Sequence, residues 1–251
     1  TANASDSGNG GSSVVGAYQI TTGLNTYVSA SGWGADPWGD DSWGSGSALG
    51  VSGQLRLYSQ DNFGEDLIFN VRNGGIFYWD QSSGLDARGV NITSLGGASN
   101  CPTTAAQVLV SDNDQHVIAF GANTLGSAVQ DPLLVRWSDQ ESAADWTPTA
   151  TNTAGGVRGS SGSAIVGAVQ TRQEILIWTD TSLHSMRFVG APFVFQFTTL
   201  SADVSMISPN AAVNARGNVF FMDKTGFYVY NGAVQQLPCS VQDLSLIHIS
   251  E

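Results

Sequence analysis

The chain has 251 residues, of which 41% are hydrophobic and only 12% are charged, about half the share usual in soluble proteins. Nine basic residues against 21 acidic ones give a formal net charge of −12, which argues against tight binding of nucleic acid. The single lysine, Lys224, follows aspartate, so the chain has no phosphate-binding P-loop, and no apolar run approaches the roughly 18 residues of a membrane span.

Residues 1–50 are poor in aliphatic side chains and rich in Gly, Ser, Asn and Asp, so we predict a loop or an arm there. Trp33, Trp38 and Trp43 recur every five residues, a period that fits neither a helix nor a strand. Each indole needs a surface to cover it. These three tryptophans are therefore the candidate interaction residues, packing either on a neighbouring subunit or back on the chain's own β domain.

From about residue 51, short apolar segments alternate with turn residues, and no apolar stripe of helical period and length is evident. The first hairpin is predicted over 66–71 and 76–80, because the turn between them contains Asn-Gly and Gly-Gly pairs that accept positive φ. Further strands are predicted at 108–111, 116–120, 133–137, 164–169, 174–179, 183–188 and 193–197.

The clearest pattern is the last one, where four strands joined by three tight turns predict an antiparallel meander. These strands are 211–215, 218–222, 227–230 and 233–237.

This meander repeats along the chain. Segments 76–80, 135–139 and 228–232 end alike, in an aromatic residue followed closely by Asp or Asn, while 174–180 and 218–223 end at aspartate turns. Four-stranded units spaced by roughly 40 to 60 residues are typical of β-propellers. We therefore predict an all-β, propeller-like domain of about four blades over residues 51–243, with a β-sandwich as the alternative.

The carboxylates and arginines do not form a recognisable reaction centre. A glycosidase needs two carboxylates with separated pKa values, and the glutamates inside the predicted domain are only Glu65, Glu141 and Glu174. Trp137-Ser138-Asp139 with Trp146 loosely resembles the Asp-box of sialidases, without its usual glycine, so Asp139 is predicted to cap a turn. The arginines are scattered, several of them at turns. We predict a protein that is not an enzyme and has no catalytic residues and no cofactor.

Calcium could be held by Asp36, Asp40 and Asp41 or by Asp112 and Asp114, but neither spacing matches an EF-hand, so no metal site is predicted.

His116 and His184 lie on predicted strands without a partner for a triad or a zinc site, and they are interpreted as structural, satisfied histidines. Cys101 and Cys239 are predicted to be buried thiols, with one long-range disulfide as the alternative.

The region 66–239 resembles a family of tailed-phage virion structural proteins. The phrases that carry the resemblance are 110–112 with 116–121, 131–141, 145–155, 176–183, 188–193, and 227–232 with 237–239. The Gly-Trp-Gly repeats before the β domain are also similar. Members of this family resemble the β-propeller nozzle or tail-tube-end proteins of short-tailed phages.

The resemblance implies a component of the phage tail or head–tail junction that assembles with copies of itself and with other virion proteins. Such a protein is expected in the virion after assembly in the host cytoplasm, without membrane insertion and without tight nucleic-acid binding. The alternative function is a glycan- or receptor-binding propeller module, for which the three arm tryptophans are also candidates. The resemblance also implies a longer protein, and residues 244–251 resemble translated sequencing-adapter DNA, so we expect a fragment with a non-native tail.

Overall fold

The computed structural model describes residues 57–112, 114–190 and 192–239. Within these ranges the chain forms sixteen β-strands and two short 3-10 helices, Gln81–Ser83 and Ile92–Ser94, and contains no α-helix. The described residues form no helix that is long and apolar enough to cross a membrane. The prediction of an all-β fold is confirmed. The predicted arm and the predicted tail lie outside the described residues.

The strands form four antiparallel sheets of four strands each, and in every sheet each strand pairs with the next one in the chain. The first sheet contains β1 (Tyr58–Phe63), β2 (Asp66–Val71), β3 (Ile76–Trp79) and β4 (Val90–Asn91). The second contains β5 (Gln107–Val110), β6 (Val117–Phe120), β7 (Leu134–Trp137) and β8 (Gly155–Arg158). The third contains β9 (Ile165–Gln170), β10 (Ile175–Thr179), β11 (Leu183–Gly190) and β12 (Val194–Ser201). The fourth contains β13 (Ala212–Ala215), β14 (Asn218–Asp223), β15 (Gly226–Tyr230) and β16 (Val234–Leu237).

The predicted repeat corresponds to strand positions within the sheets. The segments that end in an aromatic residue and Asp or Asn are β3, β7 and β15, each the third strand of its sheet. The two segments that end at an aspartate turn are β10 and β14, each the second strand of its sheet. Third strands begin at residues 76, 134, 183 and 226, so successive units are 58, 49 and 43 residues apart.

Three apolar cores lie in series between the four sheets, because interior strands bury both of their faces. In β6, Val117 and Ala119 belong to the core shared with the first sheet, while Ile118 and Phe120 belong to the core shared with the third. A two-layer sandwich has one core between its sheets. Consecutive sheets that each pack on two neighbours match the propeller-like arrangement instead.

Side-chain hydrogen bonds also tie each sheet to the next. Ser59 and Asp61 on β1 accept hydrogen bonds from the backbone N–H groups of Val108 and Val110, both at 2.9 Å. Gln107 bonds the backbone of Ala168 twice, accepting from its N–H at 2.8 Å and donating to its carbonyl at 2.7 Å. Exposed strand edges with unpaired backbone groups invite aggregation. These bonds satisfy such groups at the edge strands β5 and β9.

The two terminal sheets carry apolar side chains on their outer faces as well. On the first sheet, Phe69 stacks on Phe77 with ring centroids 5.5 Å apart, and Trp79 Nε1 donates to the Ala87 carbonyl at 3.0 Å. On the fourth sheet, Phe220 alternates with core residues and pairs with Val213, and both are exposed.

Candidate functional site

The predicted interaction residues Trp33, Trp38 and Trp43 lie outside the described residues. Within the described part of the chain, the groups that could carry chemistry are carboxylates, histidines, arginines and thiols, together with an apolar protrusion and a groove.

The turn aspartates fasten loops to strands. Asp139 accepts hydrogen bonds from the backbone N–H and the hydroxyl of Thr153, at 2.8 and 2.7 Å. Asp180 accepts from the backbone N–H and the hydroxyl of Ser163, at 2.7 and 2.5 Å. Asp139 was predicted to cap a turn, and these bonds instead join it to the segment that leads to β8, so that it holds two segments of the second sheet together.

These hydrogen bonds favour the ionised carboxylates. The Ser163 hydroxyl and N–H lower the pKa of Asp180, and the Ser99 hydroxyl does the same to the pKa of Asp145. Burial alone would raise the pKa of Asp139, but the bonds from Thr153 outweigh it and the pKa is lowered. A general acid requires the opposite, a raised pKa. These three aspartates are therefore suited to holding the fold together.

Glu174 links the third sheet to the fourth. It accepts hydrogen bonds from the Tyr230 hydroxyl on β15 at 2.5 Å and from the Ser185 hydroxyl on β11, and it pairs with Arg187 at 3.4 Å. Burial and the bond to Glu174 raise the pKa of Tyr230 to about 12. Among the described residues, no group of three or more His, Cys, Asp or Glu side chains is placed to hold a metal ion.

The two histidines occupy different environments. His116 is fully buried, with Nε2 3.0 Å from the Thr153 hydroxyl and its ring in contact with Phe195 at 5.3 Å between centroids. Its Nδ1 has no hydrogen-bond partner among the described residues, so the prediction of a satisfied histidine holds for only one of its nitrogens. His184, by contrast, is bonded through both ring nitrogens.

Arg136 is also structural. Its guanidinium is buried and donates to the backbone carbonyls of Asn100 and Asn123, at 2.6 and 3.3 Å, and it lies 5.9 Å from the centroid of the Trp146 ring. Both cysteines are free thiols. Cys101 is buried as predicted, but Cys239 is only half-buried, since it follows the last strand at the margin of the fourth sheet.

The hairpin of β11 and β12 ends in an exposed apolar tip, which we define by Phe188, Val189, Gly190, Pro192 and Phe193. These two strands have eight residues each, more than any other strand described. Phe193 is 78% exposed and Val189 is 47% exposed. Gly190 adopts a positive φ of 77°, which allows the chain to turn there. Contiguous apolar patches that are exposed on a protein surface mark sites where a partner binds.

A groove opens between the second and third sheets, with a volume of about 190 Å³. Its floor is apolar and is formed by Leu133, Val135, Val157, Ile165, Ile177 and Phe197. Its rim is polar and is formed by Arg158, Ser160, His184 and Thr199, while the buried Thr179 and the exposed Thr198 complete the lining. Neither the tip nor the groove was anticipated as a site from the sequence. The apolar run 188–193 is visible in the sequence, whereas the groove depends on six strands that meet only in the fold.

No protein-family model matches the chain, and no curated protein matches it. Among solved structures, the chain is similar to the extracellular domain of a hybrid two-component system from B. thetaiotaomicron, with 14% identity over 72% of this chain and 22% of that one and a TM-score of 0.43. It is also similar to Hsv2 of Kluyveromyces marxianus, with 8% identity over 69% of this chain and 44% of that one and a TM-score of 0.38. The chain spans less than half the length of either protein.

Proposed function

We propose that this chain is a structural component of a tailed-phage particle, in its tail or head–tail junction, and that it acts through protein–protein contacts without catalysis. The resemblance of the region 66–239 to virion structural proteins supports this role. The structural observation that best supports this role is the exposed hairpin tip. Phe193 and Val189 lie at the tip of the hairpin with the longest strands and are exposed, so they are available to a partner.

The chemistry around the tip agrees with an assembly contact. Arg187, the charged residue next to the tip, is already paired with Glu174, so the protruding surface itself is apolar and uncharged. Desolvating such a surface costs little, and aromatic anchors commonly dominate the free energy of an interface. The carboxylates described above are occupied in fastening loops, which supports a scaffold and not a reaction centre.

Immunogold electron microscopy tests the role. Antibodies raised against the purified chain are applied to particles of a phage that encodes it, and mass spectrometry of the same particles measures its copy number. We expect label at the tail or the head–tail junction and several copies in each particle. Particles that contain no copies would overturn the proposal.

A glycan- or receptor-binding module is the second candidate function, and the groove is the observation that favours it. A glycan array separates the two candidates, because reproducible binding to a defined glycan supports the second, whereas particle labelling without glycan binding supports the first.

A further inference from the structure

We propose that the groove between the second and third sheets is a binding site for one neutral sugar ring, such as a hexopyranose unit of a glycan. The inference deepens the second candidate function and does not require the assembly role. It rests on three features of the groove: an apolar floor, a polar rim that can donate and accept hydrogen bonds, and a volume of about 190 Å³ that suits a single ring.

The floor matches the apolar face of a sugar. A pyranose ring presents C–H groups on its faces and hydroxyls at its edge, and binding sites commonly combine an apolar surface with a few polar groups. Phe197 contributes the aromatic surface, and it is supported from behind by Trp137, with 6.2 Å between ring centroids and an interplanar angle of 28°. Val157 and Ile177 extend the apolar floor across the two sheets.

One side of the rim is prearranged by His184. Its Nε2 lies 2.8 Å from the Ser182 hydroxyl and 3.0 Å from the Ser161 hydroxyl, and its Nδ1 lies 3.2 Å from the Thr199 hydroxyl. Burial lowers the pKa of His184, so the imidazole is neutral at pH 7 and both donates and accepts. This network fixes the exposed Thr199 hydroxyl at the edge of the groove, where a ligand can reach it.

The other side of the rim offers a hydroxyl that remains available. The Ser160 hydroxyl makes no hydrogen bond to any residue within the described ranges, and the residue is exposed and lines the groove. Arg158 is held in place by Asp131, with Nε 2.6 Å from the carboxylate oxygen. Because Asp131 balances the guanidinium charge, the rim favours a neutral hydroxyl-bearing ligand over an anion.

The test uses saturation-transfer NMR and titration calorimetry on the whole chain. The probes are the methyl glycosides of glucose, galactose, mannose and N-acetylglucosamine, with sialic acid as an anionic probe. We expect at least one neutral glycoside to bind with a Kd on the order of 1 mM, a few kcal/mol of binding free energy, and more tightly than sialic acid.

The variant Ser160→Ala removes this available hydroxyl and is expected to weaken that binding about fivefold, as the loss of a single neutral hydrogen bond does. The matched control is Thr181→Val, which removes an exposed hydroxyl from a turn of the third sheet outside the groove. We expect the control to bind as the wild type does, and both variants to keep the wild-type Tm.

Several results would overturn the proposal: no saturation transfer to any neutral glycoside, preference for sialic acid, or unchanged binding in the groove variant. Binding that is lost in Trp33→Ala/Trp38→Ala/Trp43→Ala but kept in the groove variant would place the sugar on the arm instead. None of these results bears on particle labelling, so the site can fail while the proposed assembly role stands.

Discussion

Five aspartates at strand ends and in loops show how single residues stabilise this charge-poor chain. Asp80, Asp139, Asp145, Asp180 and Asp223 all have a lowered pKa. For Asp223, burial opposes the shift and the hydroxyls of Ser205 and Thr225 outweigh it. Asp61 is the exception, since burial raises its pKa. On balance the folded state holds these carboxylates ionised.

A carboxylate with a lowered pKa in the folded state stabilises the fold above its unfolded pKa of about 4, and this contribution is lost as the pH falls through the folded value. We therefore expect the free energy of unfolding, measured by urea titration, to be constant near pH 7 and to fall steeply below about pH 4. Asp139→Ala is expected to cost about 2 kcal/mol at pH 7 and to reduce that slope. Asp203→Ala, which removes an exposed carboxylate, is the control. A wild type that is equally stable at pH 7 and pH 3 would contradict the expectation.

The turn between β13 and β14 has two central residues, Arg216 and Gly217, with φ values of 54° and 85°. A two-residue loop with positive φ at both positions matches the twist of the flanking strands. We expect Gly217→Ala to destabilise the protein by about 1 kcal/mol, because a Cβ disfavours this conformation although no atom lies within 4 Å of it. Gly96→Ala, at an equally open position without positive φ, should leave the Tm unchanged. Equal melting shifts in the two variants would contradict the argument.

At the scale of elements, we expect a substitution in the hairpin tip to reduce assembly without changing the stability of the fold. Phe193→Ser removes an exposed aromatic side chain, so we expect a change in unfolding free energy within about 0.5 kcal/mol. Incorporation into particles should fall at least tenfold if the tip anchors a contact, as quantified by mass spectrometry of particles complemented with each variant. Val129→Ser, at a position 73% exposed in a loop of the second sheet, is the control. Normal incorporation of Phe193→Ser would remove the tip from the interface.

The strands that could be predicted are those in which the apolar segments and the turn residues between them indicate the same structure. Asn73, Gly74 and Gly75 mark the turn between β2 and β3, and apolar segments flank them on both sides. By contrast, β1 is polar at most positions, β4 has two residues, and β8 begins with Gly155 and Gly156, so none of the three was predicted. These strands form through pairing with a neighbour that is already in place, which local composition does not report.

The candidate site was less predictable for the same reason. His184 was correctly interpreted as structural, but its bonds to Ser161 and Thr199 join segments that lie 23 and 15 residues away. Phe193 was assigned to a strand that begins one residue later. Periodicity identifies which side chains face a core, whereas grooves and tips arise from the relative placement of strands.

At the scale of the whole molecule, the net charge of −12 opposes the binding of nucleic acid, which is also negatively charged. We expect no binding of duplex DNA at physiological salt, since few cations are present to displace counterions. Fluorescence anisotropy of a labelled duplex measures this, and a basic DNA-binding protein is the positive control. If the assembled protein lines a conduit, an acidic wall would let a genome slide past without retention. Micromolar affinity for the duplex would rule out this electrostatic argument.

The three cores arranged in series have a further consequence. Each apolar core joins two consecutive sheets, so in its core packing the described domain resembles a linear array, as in repeat proteins. A substitution at Trp178, in the third core, is expected to destabilise the packing of the third and fourth sheets. The core between the first and second sheets does not contain this residue and is expected to be unchanged. Such an array can gain or lose a unit at either extremity without rebuilding its middle.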